Sequence, residues 1–265
     1  MKMLRFMAVA MACAACRTVP AQEATSVNAV GSIKRTLPPG KMILAGFNWL
    51  QLDGGTNGLL PREIVSTNSV TGGDSALTAD NLILWNRDAQ AYRTYFLVDG
   101  FGPPYDGKWY DVNTFAECTN RIRHGDGFWL RSNQSTTQEV TFTGEVPAFT
   151  SGTNTMLLEE GLNMFTYPFS AGILVNTNNM LYENAKGGDS ALTADNLILW
   201  NVDRQAYETY FMVKGFGPDY DNRWYDVNTF ALCTNSLDVG VGAWYRRLSG
   251  ESTMSWNEPQ PYDLD

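Results

Sequence analysis

Apolar residues in this chain come in short runs divided by turn formers. Asn81–Asn86 reads NLILWN and Ala91–Val98 reads AYRTYFLV. Both mix β-branched and aromatic residues, the composition of strands. Arg87-Asp88-Ala89-Gln90 between them is a hairpin-sized loop. Gly127–Arg131 and Glu139–Phe142 read as further strands, and Gly100–Gly107, with its Gly, Pro and Asp, reads as loop. Asp74 can cap one turn of helix over Ser75–Ala79. Long stretches of 3.6-residue period are absent, so the pattern predicts a mostly β chain.

The pattern occurs twice. GGDSALTADNLILWN spans Gly72–Asn86 and again Gly187–Asn201 without a changed letter. Residues 71–120 align with 186–235 at a shift of 115, with 40 of 50 positions identical. Upstream, Leu37-Pro38-Pro39-Gly40 matches Leu158-Glu159-Glu160-Gly161 at a shift of 121, so copy one carries about six more residues in the intervening loop. Copies this long are not solenoid repeats. The expected architecture is two homologous β-sandwich or barrel-like units forming a pseudo-two-fold pair, over residues 33–147 and 156–257 with a linker at 148–155. Residues 22–32 and the acidic, proline-bearing tail 258–265 are expected to be flexible.

Within the hairpin segment 81–99, substitutions between the copies fall at 87, 89, 93, 97 and 99, all odd, and four exchange charge or polarity. Alternate strand residues share a face. The odd positions are therefore expected to be wet, with Gln90, Tyr92, Thr94, Phe96 and Val98 facing inward or toward the other copy.

The series ADNLILWN, AYRTYFLV, GKWYDVN, GDGFWLRS and VTFTGEVP resembles that of twin-repeat exported bacterial β proteins of unknown function. Those show a strand ending in Trp and Asn or Asp, a Tyr-x-Thr-Tyr strand and a Gly-x-Gly-Phe-Phe/Trp strand. The resemblance covers most of the chain after its leader and implies fold type and export, with no activity or catalytic residues. Copy two departs from it at Ala243.

Composition narrows the rest. Hydrophobic content of 44% and aromatic content of 12% fit a packed protein rather than a disordered one. Lys2 and Arg5, the apolar run Phe6–Cys16 and the small-x-small exit Val19-Pro20-Ala21 form a secretory leader over residues 1–21, cleaved after Ala21. Lipid on Cys16 is the alternative. The apolar run is too short for a membrane span. Without the leader, 16 basic residues face 28 acidic ones, which disfavours nucleic acid and anionic membranes as partners. The expected location is secreted, periplasmic or at the cell surface.

Candidate chemistry is sparse. There is no Gly-x-Ser-x-Gly elbow, P-loop or His-Glu-x-x-His. His124 is the one histidine, its counterpart is Val239, and it reads as an exposed polar residue. Asp106 and Asp111, repeated as Asp221 and Asp226, are oxygen donors near a Gly-rich loop that could hold calcium, although such residues are also ordinary turn formers. Calcium aside, no cofactor is expected. Cys118 and Cys233 occupy matching places, as a disulfide between copies or as two free buried thiols. Trp109-Tyr110 and Trp224-Tyr225 lie beside loops and are the candidate exposed platforms for a ligand. These features point to a non-catalytic secreted or surface module binding a polysaccharide or a protein. The alternatives are a carboxylate-dependent glycoside hydrolase and a purely structural envelope or matrix component.

Overall fold

The computed structural model describes residues 29–53, 55, 57–177 and 184–264. The leader therefore lies outside the described residues. The chain is almost entirely antiparallel β. In unit one the strands are β1 (Val30–Leu37), β2 (Met42–Gly46), β3 (Asn81–Asn86), β4 (Ala91–Leu97), β5 (Trp109–Asp111), β6 (Gly127–Arg131) and β7 (Gln138–Glu145), with one helical turn α1 (Pro61–Ile64). A five-stranded sheet runs β2-β6-β3-β4-β5, and β1 pairs with β7 as a separate ribbon. Unit two repeats this with β8 (Thr153–Leu158), β9 (Gly161–Thr166), β10 (Ile173–Leu174), β11 (Asn196–Asn201), β12 (Ala206–Met212), β13 (Trp224–Asp226), β14 (Ser236–Leu237), β15 (Gly242–Arg247) and β16 (Met254–Pro259). Its sheet runs β9-β15-β11-β12-β13, and its ribbon pairs β8 with β16.

Each ribbon closes the core of its own sheet. In unit one Leu82, Leu84, Tyr95, Leu97, Trp109 and Phe128 meet Leu37, Val140 and Phe142 of the ribbon. In unit two Leu197, Leu199, Tyr210, Met212, Trp224 and Phe165 meet Leu158, Met254 and Trp256. The departure at Ala243 is resolved here. Phe128 on β6 faces Ala45 on β2, whereas Ala243 on β15 faces Phe165 on β9. The phenyl has moved to the neighbouring strand, so one large and one small residue still fill the same space.

The opposite faces of the two sheets pack on each other. Leu44, Trp129, Met164 and Trp244 are buried there, flanked by Trp85 and Trp200. The contacts come in exchanged pairs. Trp85 meets Trp244 edge-on at 5.0 Å, and Trp200 meets Trp129 at 4.9 Å. Trp85 Nε1 donates to the Leu162 carbonyl at 2.9 Å, and Trp200 Nε1 to that of Met42 at 3.0 Å. Gln90 Oε1 accepts from Leu162 N and Gln205 Oε1 from Met42 N, both at 2.8 Å. Gly46 N donates to Gly240 O at 3.1 Å, and Thr166 N to Gly125 O at 2.9 Å. A Cβ at Gly46 would lie 2.3 Å from Thr166 Cβ, so glycine is what lets the backbones approach.

Several expectations need correction. The segment 22–32 is not free throughout: strand β1 starts at Val30, because its alternating half-buried residues cover the core and pair with β7 from Glu145 onward. Residues 22–28 lie outside the described ones. The linker is shorter than 148–155, since β8 begins at Thr153. The tail is also fixed: Glu258 is buried, accepting from Trp256 Nε1 at 2.7 Å and Tyr167 Oη at 3.1 Å. Tyr262 packs on Phe169 and donates to the Pro147 carbonyl at 3.0 Å. Buried aromatic rings needed this cover, and the composition of the tail did not reveal it. On β4, the odd positions Tyr95 and Leu97 face the core of unit one rather than solvent. Thr94 does line the seam with the other unit, together with Tyr92.

The seam predicts a matched pair of stability losses. Gln90→Ala and Gln205→Ala should each cost about 1 kcal/mol, the net worth of a few part-exposed hydrogen bonds. Urea titration of both variants should give equal midpoint shifts, and an unshifted midpoint in either would contradict the clasp.

Candidate binding faces

The tryptophan platforms expected beside the loops do not reach solvent. Trp109 and Trp224 are 2% and 0% exposed, and each sits in the core of its unit. Trp129 and Trp244 are buried too, while the half-buried Trp85 and Trp200 are bonded across the seam. The indole, with two fused rings, is the largest side chain available to fill a small β core, and both units use it so.

Tyr110 and Tyr225, next along β5 and β13, point to the other face of the strand. They are also buried, but beneath exposed rings. Phe115 stacks on Tyr110 at 4.8 Å and 19°, and Phe230 on Tyr225 at 4.8 Å and 17°. Phe101 and Tyr105 close around Phe115, as Phe216 and Tyr220 close around Phe230. Phe101, Tyr105 and Phe115 are 51%, 40% and 41% exposed; their counterparts are 48%, 44% and 37%. Each unit thus presents one three-ring aromatic face on a floor of Phe96 and Tyr110, or of Phe211 and Tyr225.

The loop that makes the face is built by the aspartates. Asp111 Oδ1 accepts from Asn113 N and Thr114 N at 2.9 Å each and from Thr114 Oγ1 at 3.1 Å. Asp226 Oδ1 does the same with Asn228 and Thr229. The cap turns the chain so that Phe115 and Phe230 both take φ of 53°. A residue with a side chain held in that region costs on the order of 1–3 kcal/mol. Ring contacts, worth about 0.5–1.5 kcal/mol each, offset it. Asp106 and Asp221 hold the other side of the face, accepting from Phe101 N and Phe216 N at 2.9 Å.

This geometry answers the calcium expectation. The four aspartates cap amides in two different turns of each loop, and the described residues contain no cluster of three or more acidic, His or Cys side chains that could hold a metal. Cys118 and Cys233 are free and lie in two different cores, so the disulfide between copies is absent. Burial pushes both thiols up, that of Cys233 to about 11.

Each unit also carries a polar cleft beside its half-buried indole. One, of about 280 Å³, is lined by Trp85, Asp88, Asn120, Arg121 and Arg123. The other, of about 500 Å³, is lined by the matching Trp200, Asp203, Asn235, Ser236 and Asp238. Their charge has diverged, whereas the aromatic faces have kept every ring. The exposed rings themselves were missed in the sequence. Their signal was that Phe101, Tyr105 and Phe115 all stand among Gly, Pro, Asp and Asn, where a large ring has no core to enter. No protein-family model and no curated protein matches this chain.

The aspartate caps make the faces sensitive to acid. The amide bonds from Thr114 and Asn113 hold Asp111 below the usual carboxylate value of 3.8. Burial alone would raise Asp226, but the Thr229 and Asn228 amides outweigh it and the net shift is again downward. A depressed folded-state value means the caps contribute fully above the ordinary pKa and fail as pH falls through the lower one. Amide signals of Thr114 and Thr229 in NMR spectra should therefore hold steady down to about pH 4 and move together below it. Loops that open between about pH 5 and 7 would contradict this assignment.

Proposed function

We propose that this is an exported, non-catalytic binding module whose two aromatic faces grip successive segments of a repeating polymer, a polysaccharide at or beyond the cell surface. The observation that carries this reading is the duplicated three-ring face, kept identical in ring content in both units and held on strained backbone. Exposed aromatic rings with polar neighbours suit the flat C–H faces of sugars. Two equal faces on one chain suit a ligand that repeats, because the second contact is then made at high effective concentration. The leader pattern of residues 1–21 and the resemblance to exported twin-repeat proteins support export. The hydrolase alternative gains nothing from the loop aspartates, whose Oδ1 atoms already cap the turns. A protein partner is the second reading, favoured by one specific feature: four of the six exposed rings are phenyl and carry no hydroxyl.

The test is retention on cellulose, chitin and xylan with Phe115→Ala, Phe230→Ala and the double variant. If the two faces act together, either single change should lower apparent affinity by about 100-fold, and the double change should remove retention. Full retention by a folded double variant would end the proposal. Loss of a specific protein cross-link in the same variants, with no polysaccharide bound by the parent, would favour the second reading.

A further inference from the structure

Unit one holds a cavity whose histidine has no counterpart in unit two, where Val239 stands in its place. The chain leaving β2 runs Phe47, Asn48, Trp49, Leu50, Gln51 into the loop where copy one carries its extra residues. With His124 and Phe149 it encloses a cavity of about 230 Å³. The walls are aromatic: Phe47 lies 6.0 Å from Trp49, and Phe149 lies 5.7 Å from the His124 ring. Arg123 is the one charged side chain on the wall among the described residues.

Three polar atoms on this cavity make no hydrogen bond of good geometry among the described residues, the imidazole's one polar neighbour being the Trp49 backbone. They are Nδ1 and Nε2 of His124 and Oε1 of Gln51, all shielded from bulk solvent. The other end of the Gln51 amide is anchored, Nε2 donating to the Gly58 carbonyl at 3.2 Å. The expectation of an exposed histidine fails here, because the ring nitrogens are buried even though the residue as a whole is half-buried. An unpartnered buried polar atom costs about 1–3 kcal/mol. Three around one space form a deficit that a ligand could remove. Trp49 Nε1 is also unpartnered, but a Cβ at Gly31 would come within 2.7 Å of it, so that atom faces the ribbon.

The chemistry of these atoms narrows the ligand. Burial pushes the imidazole down to about 4, with the Trp49 backbone opposing weakly, so His124 is neutral at physiological pH. A neutral imidazole offers one donor and one acceptor, and the Gln51 oxygen offers a second acceptor. Aromatic walls and uncharged polar groups reject a cation, and Arg123, which is exposed to solvent, offers little to offset the desolvation of an anion. The volume is below the roughly 300–1,000 Å³ of sites for drug-sized ligands, which leaves room for a single substituted ring.

We propose that this cavity binds a small, uncharged aromatic compound bearing a hydroxyl or ring N–H, with His124 and Gln51 taking its polar edge and Phe47, Trp49 and Phe149 its ring. The site is independent of the aromatic faces. It belongs to unit one alone, since Val239 stands where His124 would be in unit two.

His124 is the chain's one histidine, so its imidazole C–H signals in NMR spectra are unambiguous reporters. The chain from residue 22 onward would be titrated with phenol and indole, with benzene lacking a polar edge and benzoate carrying a charge. Phenol or indole should shift the His124 signals saturably, benzene should bind at least about tenfold more weakly, and benzoate should leave them unmoved. His124→Val, which installs the residue of unit two, and Gln51→Leu should each weaken phenol binding about tenfold. If His124→Val fails to fold, Gln51→Leu and the parent titration decide the matter. Signals unmoved by phenol and indole, or affinity unchanged in a folded variant, would overturn the assignment. So would an imidazole titrating near its ordinary 6.5, which would mark a hydrated cavity.

Discussion

The whole arrangement hangs on how the edge strands β2 and β9 are finished. Each is the outer strand of its sheet, with backbone groups that would otherwise face outward as a template for pairing. The other unit satisfies them with side chains. Gln205 meets both N and O of Met42, and Gln90 meets both N and O of Leu162. The two indoles donate to the same carbonyls. The glutamines do this from left-handed backbone, φ 45° at Gln90 and 49° at Gln205. That conformation is unfavourable for a side-chain-bearing residue and persists where surrounding contacts over-determine it. Here the same amide also bonds back to the hairpin, through Arg87 O or Val202 O at 2.7 Å. One glutamine therefore fixes its own turn and protects the partner's edge.

This constraint explains which letters the two copies share. A change at Trp85 or Gln90 would disturb the sheet of the other unit, not only its own. Core positions are freer, because they need only fill volume: the Phe128/Ala45 and Ala243/Phe165 exchange shows it. Buried polar groups are freer still in partner, though not in need. Asp80 and Asp195 sit in the identical stretch and are both buried. Asp80 is satisfied by Thr71 N, Asn133 N and Gln138. Asp195 is satisfied by Lys186 N, Leu248 N, Tyr245 and Arg247. The requirement to pair a buried carboxylate is common: two matching backbone amides meet it in both copies, and divergent side chains supply the rest.

Strand and hairpin positions were legible because they depend on local composition. Asn81–Asn86 and Ala91–Leu97 form the hairpin the pattern implied. Which face of a strand is wet was not legible, because both faces of these sheets are covered: one by the ribbon, the other by the second sheet. A charge swap replaces exposed Arg93 by half-buried Glu208, and two residues on, Tyr95 is in the core. The same limit hid the aromatic faces. Trp109 and Phe115 are both aromatic and near one loop; only the alternation along β5 sends Trp109 inward and Tyr110 outward, with Phe115 folded back over it. The tail was misread for a related reason. Its composition is that of a flexible end, yet Trp256 and Tyr167 required a buried acceptor and Glu258 supplied it.

Positive φ at residues with side chains separates what the scaffold needs from what it carries. Gln90 and Gln205 are strained where the units clasp, and removing that strain would expose an edge. Phe115 and Phe230 are strained on the outer face, where they stack on Tyr110 and Tyr225 rather than enter the cores that Trp109 and Trp224 fill. In both units a cap and a left-handed residue hold a phenyl ring that covers this floor while staying more than a third exposed. The two strained pairs thus differ in what they hold: one protects a strand edge within the seam, and the other keeps aromatic rings at the surface.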